Sequence, residues 1–171
     1  NFNPIKTSSI ISKSPFIDVR YFGAKADGVT DDYLAIQKAI DSLSTGQMGI
    51  YMPIGNYLIS QPLKLKDGTK LIGETKALHG THTIITYSGT SDFAIKTDST
   101  LVACFGILLE NLEVRAPSGD GGIRLGASKY GYGIVNASLR NIGIVNLQKY
   151  GAIGLMLQAV VHSDFISVSI D

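Results

Sequence analysis

The chain has 171 residues and a mass of 18.2 kDa, which fits one domain of ordinary size. Its 15 basic and 14 acidic residues give a formal charge of +1, and the basic residues are scattered, which argues against binding to nucleic acid or to anionic membranes. No segment approaches the roughly 18 uninterrupted apolar residues of a spanning helix, so we also expect no membrane insertion. The single cysteine, Cys104, excludes an internal disulfide and, among apolar neighbours, is predicted to be a buried hydrophobic residue.

Residues 1–15, NFNPIKTSSIISKSP, are rich in serine, asparagine, lysine and proline. This composition is typical of a linker or an edge segment. The sequence begins without methionine and stops at Asp171 inside an apolar alternation. We therefore interpret residues 16–171 as the N-terminal part of a domain, cut from a longer protein.

Residues 16–43 predict a strand, a turn and a short helix. Phe16–Phe22 alternates as a strand does, and GAKADG at 23–28 predicts a chain reversal, because its Asp-Gly pair suits a turn with positive φ. Thr30 or Asp31 is the predicted N-cap of a helix over residues 31–43. Apolar residues recur on one face of that helix at spacings of three and four: Leu34, Ala35, Ile36, Ala39, Ile40 and Leu43.

After Gly46 the apolar pattern changes to a period of two, which predicts strands. The segments NLEV at 111–114, NIGI at 141–144 and FISV at 165–168 share an apolar pair, and the apolar positions 112, 142 and 166 are 30 and 24 residues apart. GIRL at 122–125 and GLML at 154–157 recur 32 residues apart. Such periods favour stacked β-coils, because one coil cannot bury its own apolar face. A β-sandwich or jelly roll is the alternative, but Asn-Gly and Asp-Gly hairpin signals are few after residue 68.

The ends of a stack of β-coils expose unpaired backbone groups and an uncovered core. The helix at 31–43 has one apolar face and the length to cover such an end. We therefore expect it to lie across the first coil, with Ile36, Ala39 and Ile40 directed into the stack.

Three segments, FGAKADGVTDDYLAIQKAID (22–41), IYMPIGNYLISQPLKL (50–65) and GTKLIGE (68–74), resemble the N-terminal signature of the pectate-lyase-like superfamily, which includes polygalacturonases, exo-glucanases and phage tailspike depolymerases. Relatives often carry GDG where this chain has Ala26-Asp27-Gly28, a change that leaves the turn feasible. The resemblance implies an all-β, right-handed parallel β-helix with an N-terminal capping α-helix. It also implies a polysaccharide partner along the side of the helix, cleaved by hydrolysis or β-elimination on coils that largely follow Asp171. The fold does not supply the reaction.

Several acidic residues are candidates for glycoside chemistry, which uses two carboxyl groups roughly 5–10 Å apart. If Leu112 and Val114 point inward, alternation directs Glu113 outward, and Arg115 with it. Glu113 and Asp120 are the predicted catalytic pair, although an exposed Glu beside an Arg also fits a solvated ion pair. The predicted substrate-binding residues combine charge with aromatic faces that suit sugar stacking: Arg115, Arg124, Tyr130 and Tyr132.

Two other clusters could hold metal ions, but each has a simpler structural explanation. Asp27, Asp31 and Asp32 suit Ca²⁺, yet they also fit a turn followed by a helix cap. His79 and His82 could ligate Zn²⁺, but the sequence offers no further ligands nearby. We therefore predict no metal and no cofactor.

The resemblance implies a segment of a polysaccharide depolymerase, a glycoside hydrolase or lyase. The serine-rich entry segment and the lack of secretion features favour the phage tailspike type, located in the virion tail, and the likeness to tailspikes implies a homotrimer. In such a trimer the outward apolar residues of GAIGLMLQAVV at 151–161 would meet neighbouring copies. Alternatives are a secreted bacterial hydrolase or lyase, and a non-catalytic structural or receptor-binding shaft. We expect this segment alone to be inactive.

Overall fold

The structure is a computed structural model that describes residues 16–43, 49–76, 81–97, 104–126 and 134–171. In this part of the chain one α-helix, α1 (Tyr33–Ser42), and a 3₁₀ helix at Val19–Phe22 accompany the strands. The strands are, in chain order, β1 (Phe16–Asp18), β2 (Asp27–Asp31), β3 (Gly49–Met52), β4 (Gly55–Ile59), β5 (Leu63–Leu65), β6 (Lys70–Gly73), β7 (Thr75–Lys76), β8 (Thr81–Tyr87), β9 (Phe93–Thr97), β10 (Cys104–Phe105), β11 (Leu108–Arg115), β12 (Gly121–Gly126), β13 (Ile134–Val135), β14 (Ser138–Val145), β15 (Ile153–Gln158), β16 (Val160–Val161) and β17 (Asp164–Ile170). The linker or edge segment predicted at 1–15 lies outside the described residues.

Strands of successive coils pair in parallel and form three sheets. The first sheet carries two N-terminal arms, β1-β3-β6 and β2-β4-β8, which both pair with β11 and continue through β14 to β17. The second has the order β5-β9-β12-β15, and the third β10-β13-β16. Among the described strands, β7 and β8 form the antiparallel pair. This arrangement is a β-solenoid of about four turns, so the predicted parallel β-helix is confirmed and the sandwich alternative is wrong.

Inward side chains stack in columns that form the core. The register aligns Leu71 with Leu109 and Leu109 with Leu139, and all three side chains are fully buried. A second column follows the same rule, with Ile85, Val114 and Ile144 in register. Each coil therefore buries its apolar face against the next coil. The hydrophobic effect stabilises the stack by roughly 25 cal/mol per Å² of buried apolar area.

The observed register corrects one part of the predicted repeat. Leu112 pairs with Ile142, and Ile142 pairs with Val168 rather than Ile166. The alignment at Phe165–Val168 was therefore displaced by two residues, a shift that leaves an alternating pattern unchanged. The other series is confirmed, because Ile123 pairs with Leu155.

Helix α1 covers the first coil, as its apolar face predicts. Ile36, Ala39 and Ile40 are fully buried in the core. The prediction for Leu34 is wrong, since this side chain is 64% exposed; it lies on the solvent side of the first helical turn. The polar side of α1 also contacts β5: Gln37 Nε2 donates to Lys64 O at 3.1 Å and Gln37 Oε1 accepts from Lys64 N at 2.9 Å. These bonds satisfy the backbone at the edge of the second sheet.

The segment before α1 differs from the predicted turn and cap. Asp27–Asp31 forms β2, which runs parallel to β4 with an irregular register, so the chain does not reverse at Gly28 even though its φ is +74°. The N-cap position belongs to Asp32 rather than Thr30 or Asp31. Its side chain does not cap the helix; it is 1% exposed and accepts from Lys25 N and Ala26 N at 2.7 and 2.9 Å. Asp32 therefore joins the start of the helix to the preceding loop.

The last described coil leaves inward-facing apolar residues exposed. Four apolar residues occupy the same columns as buried residues of the preceding coil, yet each is 40–50% exposed: Phe165, Ile170, Ile153 and Leu157. The exposed apolar side chains Ile153 and Leu157 of segment 151–161 thus lie at the end of the stack, not on its flank.

Within the described residues no helix is long and apolar enough to cross a membrane.

Candidate functional site

A groove runs across the outward face of the first sheet. Its floor follows the register Glu113–Gly143–Ser169, one residue from each of β11, β14 and β17. The groove has a volume of about 210 Å³ and polar side chains dominate its lining. The lining residues are Thr75, His82, Asn111, Leu112, Glu113, Asn141, Ile142, Gly143, Ser167 and Ser169.

The alternation of β11 places Glu113 in this groove. Leu112 and Val114 are buried in the core, so the side chain between them points to the outer face. The predicted outward orientation of Glu113 and Arg115 is therefore confirmed. Alternation alone could not show that the start of β8 brings the His82 side chain into contact with Glu113.

Glu113, His82 and Arg115 form a charged cluster at one end of the groove. Glu113 Oε2 lies 2.5 Å from His82 Nε2, and Glu113 Oε1 accepts from Arg115 Nε at 2.5 Å. The Glu113 side chain is only 17% exposed. Because both of its oxygens are engaged, the carboxylate is held in one orientation. Charge-assisted bonds of this kind are among the stronger side-chain interactions.

Asparagines form the side wall of the groove where the long strands bend. Asn111 and Asn141 have φ of +56° and +51°, and Ser167 has φ of +54° at the equivalent place in β17. Asparagine tolerates this left-handed conformation better than most residues. Asn141 Nδ2 donates to Asn111 Oδ1 at 2.9 Å, so the amides stack as the coils do. Asn111, Asn141 and Ser167 all line the groove.

Strand β7 and the start of β8 border one end of the groove. Residues 74–82 lie between Gly73 and Thr83, whereas the next coil has only Asn111 at the same place in the register. The nine-residue excursion includes β7, which pairs antiparallel with the start of β8 through Thr75 and His82. Thr75 and His82 line this end of the groove, and His82 contacts Glu113.

Asp120, the other predicted catalytic residue, is not brought to this groove. It lines a separate surface pocket with Phe93, Tyr150 and Ile153. Its Oδ1 lies 2.5 Å from Lys149 Nζ, and its Oδ2 accepts from Asp92 N at 2.6 Å. The ammonium of Lys149 and this backbone bond lower the pKa of Asp120 below its usual range. Asp120 and Glu113 are seven residues apart in sequence, but the corner between β11 and β12 separates them.

Among the described residues, the predicted binding residue Arg124 is not part of the cluster. Arg124 lies on the second sheet with its guanidinium carbon 5.8 Å from the centre of the Phe93 ring, which is a cation–π distance. Tyr130 and Tyr132 lie outside the described residues. Of the six predicted site residues, the structure therefore brings together Glu113 and Arg115.

The aspartates near α1 are used for hydrogen bonds within the protein. Asp31 accepts from Tyr33 N at 3.1 Å and from Ser60 Oγ at 2.6 Å, while Asp27 accepts from Val29 N and Thr30 N. Across the residues that the structure describes, no group of three or more His, Cys, Asp or Glu could hold a metal ion. The other member of the histidine pair, His79, lies outside the described ranges.

Sequence reasoning missed Gly143 and Ser169 as groove residues and missed the contact of His82 with Glu113. The available signal for Gly143 and Ser169 was the length of a coil. Glu113, Gly143 and Ser169 follow one another at intervals of 30 and 26 residues, and in a β-solenoid residues one coil apart lie side by side. His82 lies two residues before Ile84, the register partner of Glu113, so coil length alone does not give its contact.

Two known proteins are similar in sequence to part of this chain. A pre-neck appendage protein of Bacillus phage phi29 is 42% identical over 60 residues, covering 35% of this chain and 7% of that protein. A glucan 1,3-beta-glucosidase of Cochliobolus carbonum is 38% identical over 74 residues, covering 37% of this chain and 9% of that protein. The chain thus spans less than a tenth of the length of either relative.

Solved structures share the fold over most of the chain. ORF18 of Geobacillus virus E2 superposes with a TM-score of 0.76 at 23% identity, covering 93% of this chain and 31% of that one. A family model described as rhamnogalacturonase A/epimerase, pectate lyase-like, matches residues 16–103, more than half of the chain. The matched region contains the helix cap and the coils up to β9. This chain therefore belongs to the rhamnogalacturonase A/epimerase, pectate-lyase-like family.

Proposed function

We propose that the chain is part of a virion-associated, carbohydrate-processing β-helix protein that binds a polysaccharide in the Glu113 groove. One observation carries the proposal: an outward groove on the flank of the β-helix contains a carboxylate fixed by Arg115 and His82. Such a carboxylate accepts hydrogen bonds from sugar hydroxyl groups without first having to be ordered.

The other lining groups also suit a sugar. Asn111 and Asn141 offer amide donors and acceptors. In the described part of the chain, the hydroxyls of Ser167 and Ser169 make no side-chain hydrogen bond, so they have capacity for a ligand. The groove crosses successive strands along the stack, which is the direction an extended polymer would follow. Its volume of about 210 Å³ is below the roughly 300–1,000 Å³ of drug-sized pockets, so it accommodates about one sugar unit.

We further propose that the whole protein cleaves its polysaccharide, as a tailspike-type glycoside hydrolase or lyase. Glu113 is then a candidate to contact the reacting sugar. Hydrolysis in the usual manner requires a second carboxyl group, and among the described residues Glu113 is the carboxylate that lines the groove. Asp120 lies in another pocket, so the second catalytic group would come from elsewhere in the full protein.

Virion association is supported by the likeness to the phi29 pre-neck appendage protein. A secreted hydrolase or lyase is a second candidate, favoured by the likeness to the fungal glucosidase. A non-catalytic shaft is the third, favoured by the small residues Gly143 and Ser169 on the outer face. Homotrimeric assembly is also part of the proposal; light scattering that finds a monomer at high protein concentration would contradict it for this chain.

The test of binding is affinity electrophoresis of the chain in gels that contain β-1,3-glucan, rhamnogalacturonan or bacterial capsular polysaccharides. We expect retardation by at least one polymer. Glu113→Gln should weaken that binding about ten- to a hundredfold, because it removes a charge-assisted hydrogen bond. Glu110→Gln is the matched control, since Glu110 lies on the same strand outside the groove. No retardation of the wild-type chain, or equal effects of the two variants, would contradict the proposal.

A further inference from the structure

The floor of the groove is interrupted by a residue without a side chain. Gly143 lies between Glu113 of the preceding coil and Ser169 of the following coil, all three on the outer face. With strands about 4.8 Å apart, the flanking backbones are about 10 Å from each other. The missing side chain therefore leaves a notch directly beside the Glu113 carboxylate.

The backbone does not require glycine at this position. The φ of Gly143 lies outside the left-handed region, and a Cβ built there would approach Glu113 Cγ and Ser169 Oγ no closer than 3.7 and 3.8 Å. Both are ordinary van der Waals distances. A larger residue would also suit the strand better, because glycine in a strand interior loses more conformational entropy on folding.

At two neighbouring glycines, close packing leaves no room for a side chain. A Cβ on Gly122 would lie 2.4 Å from Ile144 Cγ2, and one on Gly154 would lie 2.4 Å from Ile170 Cγ2. Those glycines are needed where the sheets pack closely. Gly143 differs from them, since its Cβ would lie on the groove side at ordinary contact distance from its neighbours.

We propose that Gly143 is the specificity-determining residue of the groove: its notch admits one ring of a polysaccharide, or a ring substituent, to the Glu113–His82 end. The inference rests on the proposed function and names the residue that limits the size of the ligand at that site. Ser169 borders the notch on one side, and Glu113 with its partner His82 lies on the other. A branched side chain at position 143 would occupy the space that the sugar needs.

The test compares Gly143→Ala and Gly143→Val with Ser138→Val. Ser138 is a small, half-buried residue on the outer face of the same strand and does not line the groove. The polysaccharide that retards the wild-type chain is the probe, and thermal unfolding is followed in parallel. We expect Gly143→Val to lose binding about tenfold or more, Gly143→Ala to lose less, and Ser138→Val to bind as the wild type does. Both Gly143 variants should unfold at or above the wild-type temperature.

The outcomes separate the two proposals. If the wild-type chain binds none of the polymers, the proposed function fails and the role of Gly143 fails with it. If the wild type binds and Gly143→Val binds equally well, the notch has no role and only the present inference is overturned. It is likewise overturned if Ser138→Val loses as much affinity, or if both Gly143 variants unfold well below the wild type, because glycine would then be needed for the fold.

Discussion

At the capped end of the β-helix the polar groups are paired within the protein, whereas in the groove several remain available. Gln37 makes two hydrogen bonds to the backbone of Lys64, and Asp32 makes two to the loop before it. In the groove, Ser167 and Ser169 make no side-chain hydrogen bond with the described residues, and Gly143 has room for a Cβ at ordinary contact distance from Glu113. A solenoid must close its end to be stable, but its flank is free to carry a site. The cap therefore determines stability, and the groove can change with little effect on folding.

The largest difference in stability between cap and groove variants is expected at the apolar face of α1. Replacing Ile36 by alanine should lower the free energy of unfolding by about 2–5 kcal/mol, because it opens a cavity between α1 and the first coil. Leu34→Ala is the matched control on the same helix. Its side chain is largely exposed, so the expected change is within about 0.5 kcal/mol.

Urea unfolding followed by circular dichroism measures both variants. Equal losses for Ile36→Ala and Leu34→Ala would show that α1 does not lie on the stack as described. A loss as large from Gly143→Val would remove the distinction between the cap and the groove.

The next effect concerns the buried carboxyl group at the start of the helix. Asp32→Ala should cost about 2–3 kcal/mol, because Lys25 N and Ala26 N would lose their acceptor in a place that water reaches poorly. Asp32→Asn should cost less, since the amide keeps one acceptor oxygen. The comparison is Asp27→Ala, whose backbone partners are exposed and can bond to water instead. The same urea titration measures all three, and a larger loss for Asp27→Ala would contradict the assignment.

The fold was predictable because its signals are repeated. Apolar alternation recurs in every coil, and the family resemblance covers the cap, where sequence motifs are strong. The errors arose where a pattern has more than one solution. Phe165–Val168 can be moved by two residues without changing its alternation, and Asp31 and Asp32 are adjacent carboxylates that both suit an N-cap.

The groove was less predictable, because its residues come from different coils. The outward direction of Glu113 followed from its apolar neighbours, but the partner His82 depends on the register between β8 and β11. The extra residues between Gly73 and Thr83 obscured that register: Leu71 and Leu109 pair although 38 residues separate them, against 30 for Leu109 and Leu139. Asp120 shows the opposite case, since closeness in sequence did not bring it near Glu113.

The smallest expected effect is a pH dependence at the cap that depends on Asp31. Burial raises the pKa of this carboxyl group, but hydrogen bonds from Ser60 and from Tyr33 N outweigh it, so the pKa lies below the ordinary value of 3.8. A lowered pKa in the folded state means that the stabilisation is complete above about pH 5 and is lost as the pH falls through the folded value.

Asp31→Asn should therefore flatten the loss of thermal stability between about pH 5 and pH 2, and Ser60→Ala should raise the pKa of Asp31 toward its ordinary value. Thermal unfolding across that range measures the first effect, and NMR titration of the carboxyl carbon measures the second. The contribution is modest, because Asp31 is partly exposed and solvent screens its interactions. An unchanged pH profile in both variants would mean that acid sensitivity arises elsewhere, and the cap would then owe its stability to apolar contacts and buried hydrogen bonds alone.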